Sequence, residues 1–417
     1  MTVVIKGYRV MLLPNNKQRT KLFETANCAR YAYNWTVAEQ MKHLEETGEY
    51  YSDGVLRKMF TEHKKENPWL YGVSNNATKR AVKDATQAFW DFVSEKKKPG
   101  YDPFSKKKIA RSKRLGFELK RYDMSHHPKY KKKGKSKVSF YADTDKIDFT
   151  DTHVQLEKIA DGRKKNRAKA NWIRLAETGR IPVGKKYINP RVTYDGENWW
   201  VSVGVEQESI ESIPTNKGLG VDVGVKDLAV CSDTAVYENI NKTKEVRRLE
   251  KKKRRLQRSI SRKYEKNKKE ERYCKTSNLI KSEAKLLRIH HRLSGVRLDH
   301  VHQATSKIIN QKPRFVAIED LNVRGMMSNK HLSKAIQNQE LAEFSRQIQY
   351  KAAWNNVSTV LADRYFPSSK TCVMCGYIKK DLKLRDRTYV CPECGNVIDR
   401  DYQAALNLYE YGRQRVA

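Results

Sequence analysis

The chain has 417 residues, enough for about two to four domains at roughly 100–200 residues each, and its formal charge is +37 at pH 7. The charge comes from 85 Lys and Arg residues against 48 Asp and Glu residues, and it favours a polyanionic partner such as nucleic acid, because unneutralised self-repulsion opposes folding. The sequence has no apolar run of about 18 residues and no basic-then-apolar N-terminal segment. The composition therefore argues against a membrane-spanning or secreted protein.

The N-terminal segment predicts a strand followed by amphipathic helices. Residues 2–13 are rich in β-branched and apolar side chains and end at the turn-forming sequence Pro14-Asn15-Asn16, which predicts a strand. Residues 17–40 place apolar side chains at three- and four-residue steps, as one face of a helix requires. A further helix is predicted to begin with Ser74 as its N-cap.

The middle of the chain predicts a basic segment followed by a small β unit. Residues 96–137 are rich in Lys and show little periodicity, which predicts flexible loops that contact backbone phosphates. Apolar and polar residues then alternate in several short segments separated by turns, which predicts a small antiparallel barrel or sheet. These segments are residues 138–140, 154–156, 172–175, 191–194 and 199–205.

Residues 244–264 predict a strongly basic helix, because Val246, Leu249, Leu256, Ile260 and Tyr264 form one apolar stripe surrounded by cations. Such a helix face can simply be solvated. The shortage of Glu residues to pair with these cations favours contact with phosphates instead. Another helix is predicted from about residue 282 to residue 310.

Four of the seven cysteines form two Cys-x-x-Cys pairs near the C-terminus, Cys372 with Cys375 and Cys391 with Cys394. This spacing allows two knuckles to converge on one tetrahedral Zn²⁺, which prefers four thiolates. With all four positions filled by sulfur, the zinc would be structural rather than catalytic. The remaining cysteines are interpreted as unpaired structural thiols.

Three carboxylates lie in segments that suit a functional site. Asp222 lies in a β-prone segment rich in Val and Gly, Glu319 ends the apolar run FVAIEDL, and Asp401 occupies the first turn of a predicted helix. Asp399 would be a neighbour of Asp401 or the N-cap of that helix. Taken singly, each acid is more often a cap or a solvated carboxylate than a metal ligand, and periodicity does not join them.

Five segments follow one another in the order GVDVGVKDLAV, AIEDLNVRGM, DRYFPSSKTCVMCG, CPECG and DRDYQAALN. Together with RYAYNW near the N-terminus, they resemble the TnpB proteins encoded by bacterial insertion sequences, which are similar to miniature type V CRISPR effector nucleases. The resemblance covers nearly the whole chain and implies that Asp222, Glu319 and Asp401 are the RuvC acids of an RNase H-like fold. Gln403 departs from the family pattern, which commonly has Asn there, and this change could alter the packing behind Asp401.

The resemblance implies an α+β multidomain protein. A wedge-type β-barrel would comprise residues 1–13 and 115–213, with a helical recognition lobe at residues 14–114. Residues 214–417 would form the RuvC-like nuclease domain, with a target-binding zinc ribbon inserted at residues 368–398.

Two further segments resemble functional parts of the family. The helix bearing Asn76, Lys79 and Lys83 resembles the one that meets the flanking DNA motif, although these side chains could merely contact phosphates. Residues 322–349 resemble the lid over the carboxylates, although the two methionines in this segment could equally be core residues.

The implied function is RNA-guided cleavage of double-stranded DNA next to a short flanking motif, by two-metal-ion hydrolysis with Mg²⁺ or Mn²⁺. The guide would be a transposon-end or CRISPR-like RNA, held in a monomeric ribonucleoprotein in the prokaryotic cytoplasm at the nucleoid. A guide-directed DNA-binding repressor, a strand-transfer transposase and a zinc-ribbon RNA-binding protein with incidental acids remain as alternatives.

Overall fold

The structure is a computed structural model. It describes residues 3–120, 123–134, 136–159, 171–208, 214–269, 272–383 and 385–416. Thr2 and parts of the predicted barrel range lie outside these residues. The chain divides into an N-terminal unit, Ile5–Gln207, and a C-terminal unit, Glu208–Ala417 together with Met1–Val4.

The β-strands of the N-terminal unit form one seven-stranded sheet in the order β2-β6-β7-β1-β5-β4-β3. The strands are β1 (Val3–Leu13), β2 (Val138–Tyr141), β3 (Asp148–Phe149), β4 (His153–Gln155), β5 (Trp172–Leu175), β6 (Tyr187–Tyr194) and β7 (Trp199–Glu208). Alternate residues of β7 are buried, as expected for a sheet with one face on a core. The predicted antiparallel segments therefore form a sheet. Its closure into a barrel stays a prediction, because β2 and β3 lie at the two edges of this sheet.

Within its described residues, the α-helices of the N-terminal unit are α1 (Asn16–Thr47), α2 (Asp53–Glu66), α3 (Asn75–Lys96) and α4 (Lys106–Leu115). A capping box formed by Asn15 and Gln18 starts α1, and Gly48 ends it at a positive φ of 79°. Ser74 precedes α3, but its hydroxyl donates to Glu157 at 2.6 Å and makes no cap hydrogen bond.

Helix α4 corrects the expectation that residues 96–137 contain only flexible loops. None of its residues is buried, so apolar patterning could not reveal it. Lys and Arg are nevertheless good helix formers, and Gly116 at a φ of 65° provides a left-handed end for the helix.

The main sheet of the C-terminal unit has five strands in the order β10-β9-β8-β13-β14. They are β8 (Leu219–Val223), β9 (Asp227–Cys231), β10 (Val236–Glu238), β13 (Phe315–Glu319) and β14 (Ser358–Ala362). A short hairpin, β11 (Lys268–Lys269) and β12 (Arg272–Tyr273), lies outside this sheet. Strands β8, β9 and β10 are antiparallel, whereas β8, β13 and β14 are parallel and need crossover connections.

Helices supply those crossovers. They are α5 (Lys244–Lys266) and α6 (Ser277–Asn310) before β13, and α7 (Val323–Met326), α8 (Ser333–Gln339) and α9 (Leu341–Trp354) after it. Helix α6 begins earlier than predicted, because the Thr276 side chain caps it by accepting from the backbone N–H of Leu279. None of the described helices is long and apolar enough to cross a membrane.

The chain ends in a small ribbon and a final helix. The ribbon strands β15 (Thr388–Val390) and β16 (Val397–Asp399) pair antiparallel, and α10 (Arg400–Val416) follows β16 without a loop. Helix α10 packs directly against β8, where a Cβ atom on Gly220 would lie 2.1 Å from the carbonyl oxygen of Ala405. A glycine at this position therefore lets the start of α10 approach the centre of the sheet.

Candidate functional site

Parallel pairing brings Asp222 and Glu319 side by side. Val221 of β8 pairs with Ile318 of β13, so the same register places Asp222 beside Glu319, the last residue of its strand. Alternation along β8 puts Asp222 on the same face as Gly220, against which α10 packs. Asp401 lies in the first turn of α10. The structure thus gathers at one end of the sheet three acids that are far apart in sequence.

The electrostatics of Asp222 favour a bound cation. Burial raises the pKa of Asp222 well above its usual range, and the negative charges of Glu319 and Asp401 raise it further. No donor among the residues that the structure describes hydrogen-bonds to the Asp222 carboxylate. The residue is still partly exposed, so an ion can reach it. A divalent cation would offset this cost of ionising the cluster.

The three acids offer only carboxylate oxygens as metal ligands. Hard divalent ions such as Mg²⁺ and Mn²⁺ prefer oxygen ligands, whereas a structural Zn²⁺ site is built from sulfur and nitrogen donors. The donor set therefore fits hard divalent ions.

Two cations flank Asp401. Its Oδ2 lies 3.7 Å from Lys226 Nζ and 3.8 Å from Arg387 Nη1. Asp399 instead caps α10, because its Oδ1 accepts from the backbone N–H groups of Asp401 at 2.9 Å and Tyr402 at 3.0 Å. The two acids therefore differ in role, and Asp401 keeps its carboxylate free of backbone donors that would compete with a metal.

Glu319 has a different neighbour. The Ser368 hydroxyl donates to Glu319 Oε1. The adjacent Asp320 forms a separate ion pair with Arg364, with 2.6 Å between Asp320 Oδ2 and Arg364 Nη2. Glu319 and Asp320 thus make different contacts, as the alternation of side chains along a strand predicts.

Three further residues of the site, Lys226, Arg387 and Ser368, are not predicted from the sequence. Lys226 follows Asp222 by four residues in the same segment, and Ser368 and Arg387 lie within the predicted ribbon range, so all three are close to recognised motifs. Only tertiary contacts show that their side chains reach the acids. No periodicity or motif spacing signals those contacts.

The four ribbon cysteines form a candidate metal centre. Cys372 Sγ lies 3.6 Å from Cys394 Sγ, and Cys375 Sγ lies 3.5 Å from Cys391 Sγ. Tetrahedral Zn²⁺ with Zn–S bonds of about 2.3 Å places its sulfurs about 3.8 Å apart, so the set fits zinc. All four donors are sulfur, which leaves no coordination position for a reacting water.

Both halves of this centre are knuckles of the same form. The N–H of Gly376 donates to the Cys372 carbonyl at 2.9 Å, and the N–H of Gly395 donates to the Cys391 carbonyl at 3.1 Å. Both glycines have positive φ values, 76° and 69°. Although burial raises the pKa of Cys391, hydrogen bonds from the backbone N–H groups of Cys394 and Glu393 and from the Cys375 and Cys394 thiols together lower it to about 6, which favours the thiolate that zinc binds.

The other cysteines lie in different environments. Cys28 and Cys231 are buried and Cys274 is exposed. Burial raises the pKa of Cys28 to about 11 and that of Cys231 further still, so both thiols stay protonated at neutral pH.

Asn76, Lys79 and Lys83 lie together on α3 in the N-terminal unit. They line an open groove with Arg57, Arg80, Tyr141 and Asp143. Lys79 and Lys83 are exposed, whereas the Asn76 amide donates to the Asp143 carboxylate. The groove therefore presents mainly cations to a ligand.

The predicted lid, residues 322–349, comprises α7, α8 and most of α9. Met326 and Met327 are 36% and 40% exposed, so the reading of these methionines as core residues is wrong. The Gln339 amide donates to the Gly224 carbonyl at 3.2 Å, which ties this segment to the loop after β8.

Gln403, the departure from the family pattern, is fully buried on α10. Neither its Oε1 nor its Nε2 has a hydrogen-bond partner among the described residues. A buried amide without partners costs free energy, so this position lowers the stability of the fold behind Asp401.

Three family models match parts of the chain. Residues 201–330 match the OrfB_IS605 family, described as a probable transposase, and residues 342–408 match the TNB domain of Cas12f1-like proteins. Residues 1–49 match the helix-turn-helix domain of the OrfB_IS605 family. The described part of that segment forms β1 and α1, one strand and one helix.

Known proteins resemble the chain over nearly its full length. It is 26% identical to a Streptomyces pristinaespiralis protein over 99% of this chain and 90% of the relative. It is 24% identical to InsQ of Escherichia coli K12, over 99% of this chain and 94% of the relative. Both relatives are named as candidate RNA-guided DNA endonucleases. The solved structure of the mini-RNA-guided endonuclease CRISPR-Cas_phi3 is 10% identical, with a TM-score of 0.43 over 99% of this chain and 92% of that chain.

Proposed function

This chain belongs to the TnpB family of transposon-encoded RNA-guided nucleases, which are similar to miniature type V CRISPR effectors, and we propose from this premise how it acts as an RNA-guided DNA endonuclease. The observation that carries the proposal is the gathering of Asp222, Glu319 and Asp401 at one end of the five-stranded sheet. These are the acids that the family motifs assign to metal-dependent hydrolysis.

The C-terminal unit is proposed to be an RNase H-like RuvC nuclease domain. The strand order β10-β9-β8-β13-β14, with three antiparallel strands followed by two parallel ones, supports this assignment. The N-terminal unit is proposed to be the wedge-type barrel with its recognition lobe, and its antiparallel sheet and helices α1 to α3 support that division.

Asp222, Glu319 and Asp401 would hold two Mg²⁺ or Mn²⁺ ions. When bound, such ions activate water and stabilise the leaving oxygen in phosphodiester hydrolysis. The chain's own residues bind and orient the reacting groups. Lys226 and Arg387 offset part of the repulsion around Asp401, and the exposed guanidinium of Arg387 offers several N–H donors to a phosphate oxygen.

The ribbon is proposed to hold a structural Zn²⁺ and to contact target nucleic acid. The four converging sulfurs support the metal. Lys379, Lys380, Lys383 and Arg385 lie between the two knuckles and supply cations for backbone phosphates.

Guide RNA and target double-stranded DNA are the proposed partners. Base pairing to the guide would read the target, while the α3 groove with Asn76, Lys79 and Lys83 would read the flanking motif. A formal charge of +37 suits a protein that holds long stretches of nucleic acid by their backbones. We propose a monomeric ribonucleoprotein that acts on DNA at the prokaryotic nucleoid, with a guide from a transposon end or a CRISPR-like array.

The non-cleaving repressor and the strand-transfer transposase are not favoured. A non-cleaving repressor does not explain a complete set of three acids gathered at one end of the sheet. The relatives that match nearly the whole chain are named for RNA-guided cleavage rather than for strand transfer.

The test is to purify the protein with co-expressed native flanking DNA, sequence the bound RNA, and incubate the complex with Mg²⁺ and a plasmid library carrying a randomised flank. We expect double-strand cleavage beside one flanking motif. Asp222→Ala should abolish cleavage but keep guide-dependent DNA binding, because it removes a metal ligand and leaves the cationic surface intact.

Asp320→Ala is the matched control, because Asp320 follows Glu319 directly but pairs with Arg364 instead of joining the acid cluster. It should cleave like the wild type. Full cleavage by Asp222→Ala would refute the site assignment. Target occupancy without cleavage by the wild type would favour the repressor, and a cut end joined to target DNA would favour the transposase.

A further inference from the structure

Glu319 accepts a hydrogen bond from a hydroxyl group to which the family motifs assign no role. Ser368 Oγ donates to Glu319 Oε1, and Ser368 is only 4% exposed, so bulk water competes weakly for this contact. Asp222 and Asp401 have no comparable donor among the described residues, since Asp222 has none and Asp401 meets only the flanking cations. Glu319 is therefore the member of the cluster whose orientation the protein fixes most directly.

The backbone around Ser368 is itself fixed by helix α10. Asn407 Nδ2 donates to the carbonyl oxygens of both Ser368 and Thr371, each at 2.7 Å. The Asn407 side chain is buried, and Thr371 directly precedes Cys372, the first ligand of the ribbon. One amide thus joins the residue that holds Glu319 to the start of the first zinc knuckle.

We propose that Ser368 is a positioning residue of the metal site and that Asn407 couples it to the zinc ribbon. The Ser368 hydroxyl holds Oε1 of Glu319, and Oε2 would be the oxygen available to a metal ion. The ribbon then does more than bind nucleic acid, because the Asn407 amide that fixes the Ser368 backbone also holds the start of its first knuckle. This inference rests on the proposed nuclease site and deepens it.

The energetic reason lies in the freedom of a glutamate side chain. An unrestrained Glu loses rotamer entropy when it binds a metal, whereas a carboxylate already fixed by a hydrogen bond has lost that freedom beforehand. Groups that orient metal ligands typically account for about 10–100-fold in metal affinity. A hydroxyl that merely satisfied a buried carboxylate would affect folding but would not change metal affinity in the folded protein.

The test measures Mn²⁺ binding to the full chain by electron paramagnetic resonance of the free ion. Ser368→Ala should weaken Mn²⁺ binding by about 10–100-fold while the zinc content stays at the wild-type value. Ser369→Ala is the matched control. It removes the neighbouring hydroxyl, which accepts from Arg400 Nη2 at 3.4 Å and makes no hydrogen bond to Glu319, and it should bind Mn²⁺ like the wild type.

Asn407→Ala tests the coupling to the ribbon. Asn407 makes no hydrogen bond to the three acids, so a weaker Mn²⁺ affinity in this variant with zinc retained would show that Asn407 acts through Ser368. An unchanged Mn²⁺ affinity in Asn407→Ala would overturn the coupling.

A double-mutant cycle separates positioning from general loss of structure. If Ser368 acts through Glu319, Ser368→Ala should cause no further loss of Mn²⁺ affinity in a Glu319→Ala background. An equal loss in both backgrounds would overturn the positioning role, and so would wild-type Mn²⁺ affinity in Ser368→Ala. Failure of the proposed function looks different, because wild type and Asp222→Ala would then bind Mn²⁺ equally.

Discussion

Two residues near Asp401 have opposite effects on the packing of helix α10. Gly220 has no Cβ, and this allows α10 to lie against β8 with Asp401 beside the other acids. Gln403, two residues after Asp401, buries an amide whose oxygen and nitrogen both lack hydrogen-bond partners in the described chain. The first residue makes the site sterically possible, and the second imposes a cost in stability on the helix that carries it.

Replacing this amide should stabilise the protein. Gln403→Met keeps an unbranched side chain of similar length but removes both polar atoms, so we expect the free energy of unfolding to rise by about 1–3 kcal/mol. Denaturant unfolding of the variant and the wild type measures the difference. The three acids are unchanged, so DNA cleavage should persist.

Gln347→Met on α9 is the matched control, because Gln347 is equally buried but fully engaged. Its Oε1 accepts from Thr305 at 2.9 Å, and its Nε2 donates to Glu343 at 3.0 Å. This substitution should lower the free energy of unfolding, since it removes the hydrogen bonds that Gln347 makes with Thr305 and Glu343. A loss of stability in both variants would mean that the Gln403 amide is satisfied in solution.

Individual residues were predictable where a motif carried them. The order of the five segments singled out Asp222, Glu319, Asp401 and the cysteines, and the structure brings each of these two sets together. Ser368 and Lys226 were not identified, because their roles depend on which side chain lies opposite after folding. A hydroxyl at the start of a ribbon and a lysine after a strand have no spacing that distinguishes them from solvated residues.

At the scale of elements, the ribbon and helix α10 form one continuous piece. Strand β16 ends at Asp399 and α10 begins at Arg400, so the residue that caps the helix is also the end of a ribbon strand. The backbone N–H of Arg400 also donates to the Arg387 carbonyl at 2.8 Å. The position of Asp401 therefore depends on the ribbon being folded.

Cys391→Ser should remove this support. Serine is a poor zinc ligand, and a structural zinc contributes about 10–16 kcal/mol of apparent binding free energy that is also folding free energy. We expect less than one zinc per chain by elemental analysis and a lower melting temperature. Cys274→Ser, which changes an exposed cysteine outside the ribbon, should leave both values unchanged. An unaltered zinc content in Cys391→Ser would contradict the four-sulfur site.

Elements with a clear hydrophobic period were predicted well, and those without one were not. The first strand, the basic helix and the short alternating strands all appear near their predicted positions. Helix α4 was missed because it buries nothing, and the true start of α6 was missed because a Thr276 cap defines it rather than an apolar residue. Pairing order within each sheet depends on long-range contacts that a local period does not encode.

At the scale of the whole molecule, the positive charge is concentrated on particular surfaces. Helix α5 alone carries 12 Lys or Arg residues against 3 Glu residues. Arg254, Arg258 and Arg262 line one open groove on this helix, and none of them pairs with a carboxylate in the described part of the chain. We therefore expect this side of α5 to contact phosphates rather than to be merely solvated.

The salt dependence of guide RNA binding should report this contact. Each phosphate contact that is lost should reduce the slope of log affinity against log salt concentration by about 1. Changing Arg254, Arg258 and Arg262 together to Gln should therefore reduce the slope by up to about 3. Filter binding of guide RNA at a series of NaCl concentrations, from low to moderate, measures this slope.

A second triple variant distinguishes local contact from net charge. It changes to Gln three arginines that already pair with Glu177, Glu343 and Glu410, namely Arg180, Arg346 and Arg413. Both variants lower the formal charge by the same amount, so a diffuse field would make their slopes equal. We expect the slope of log affinity against log salt concentration to become shallower only in the α5 variant. The reason is that counterions are released where a side chain replaces them at a phosphate. Equal slopes would assign the effect to total charge and leave α5 as a solvated face.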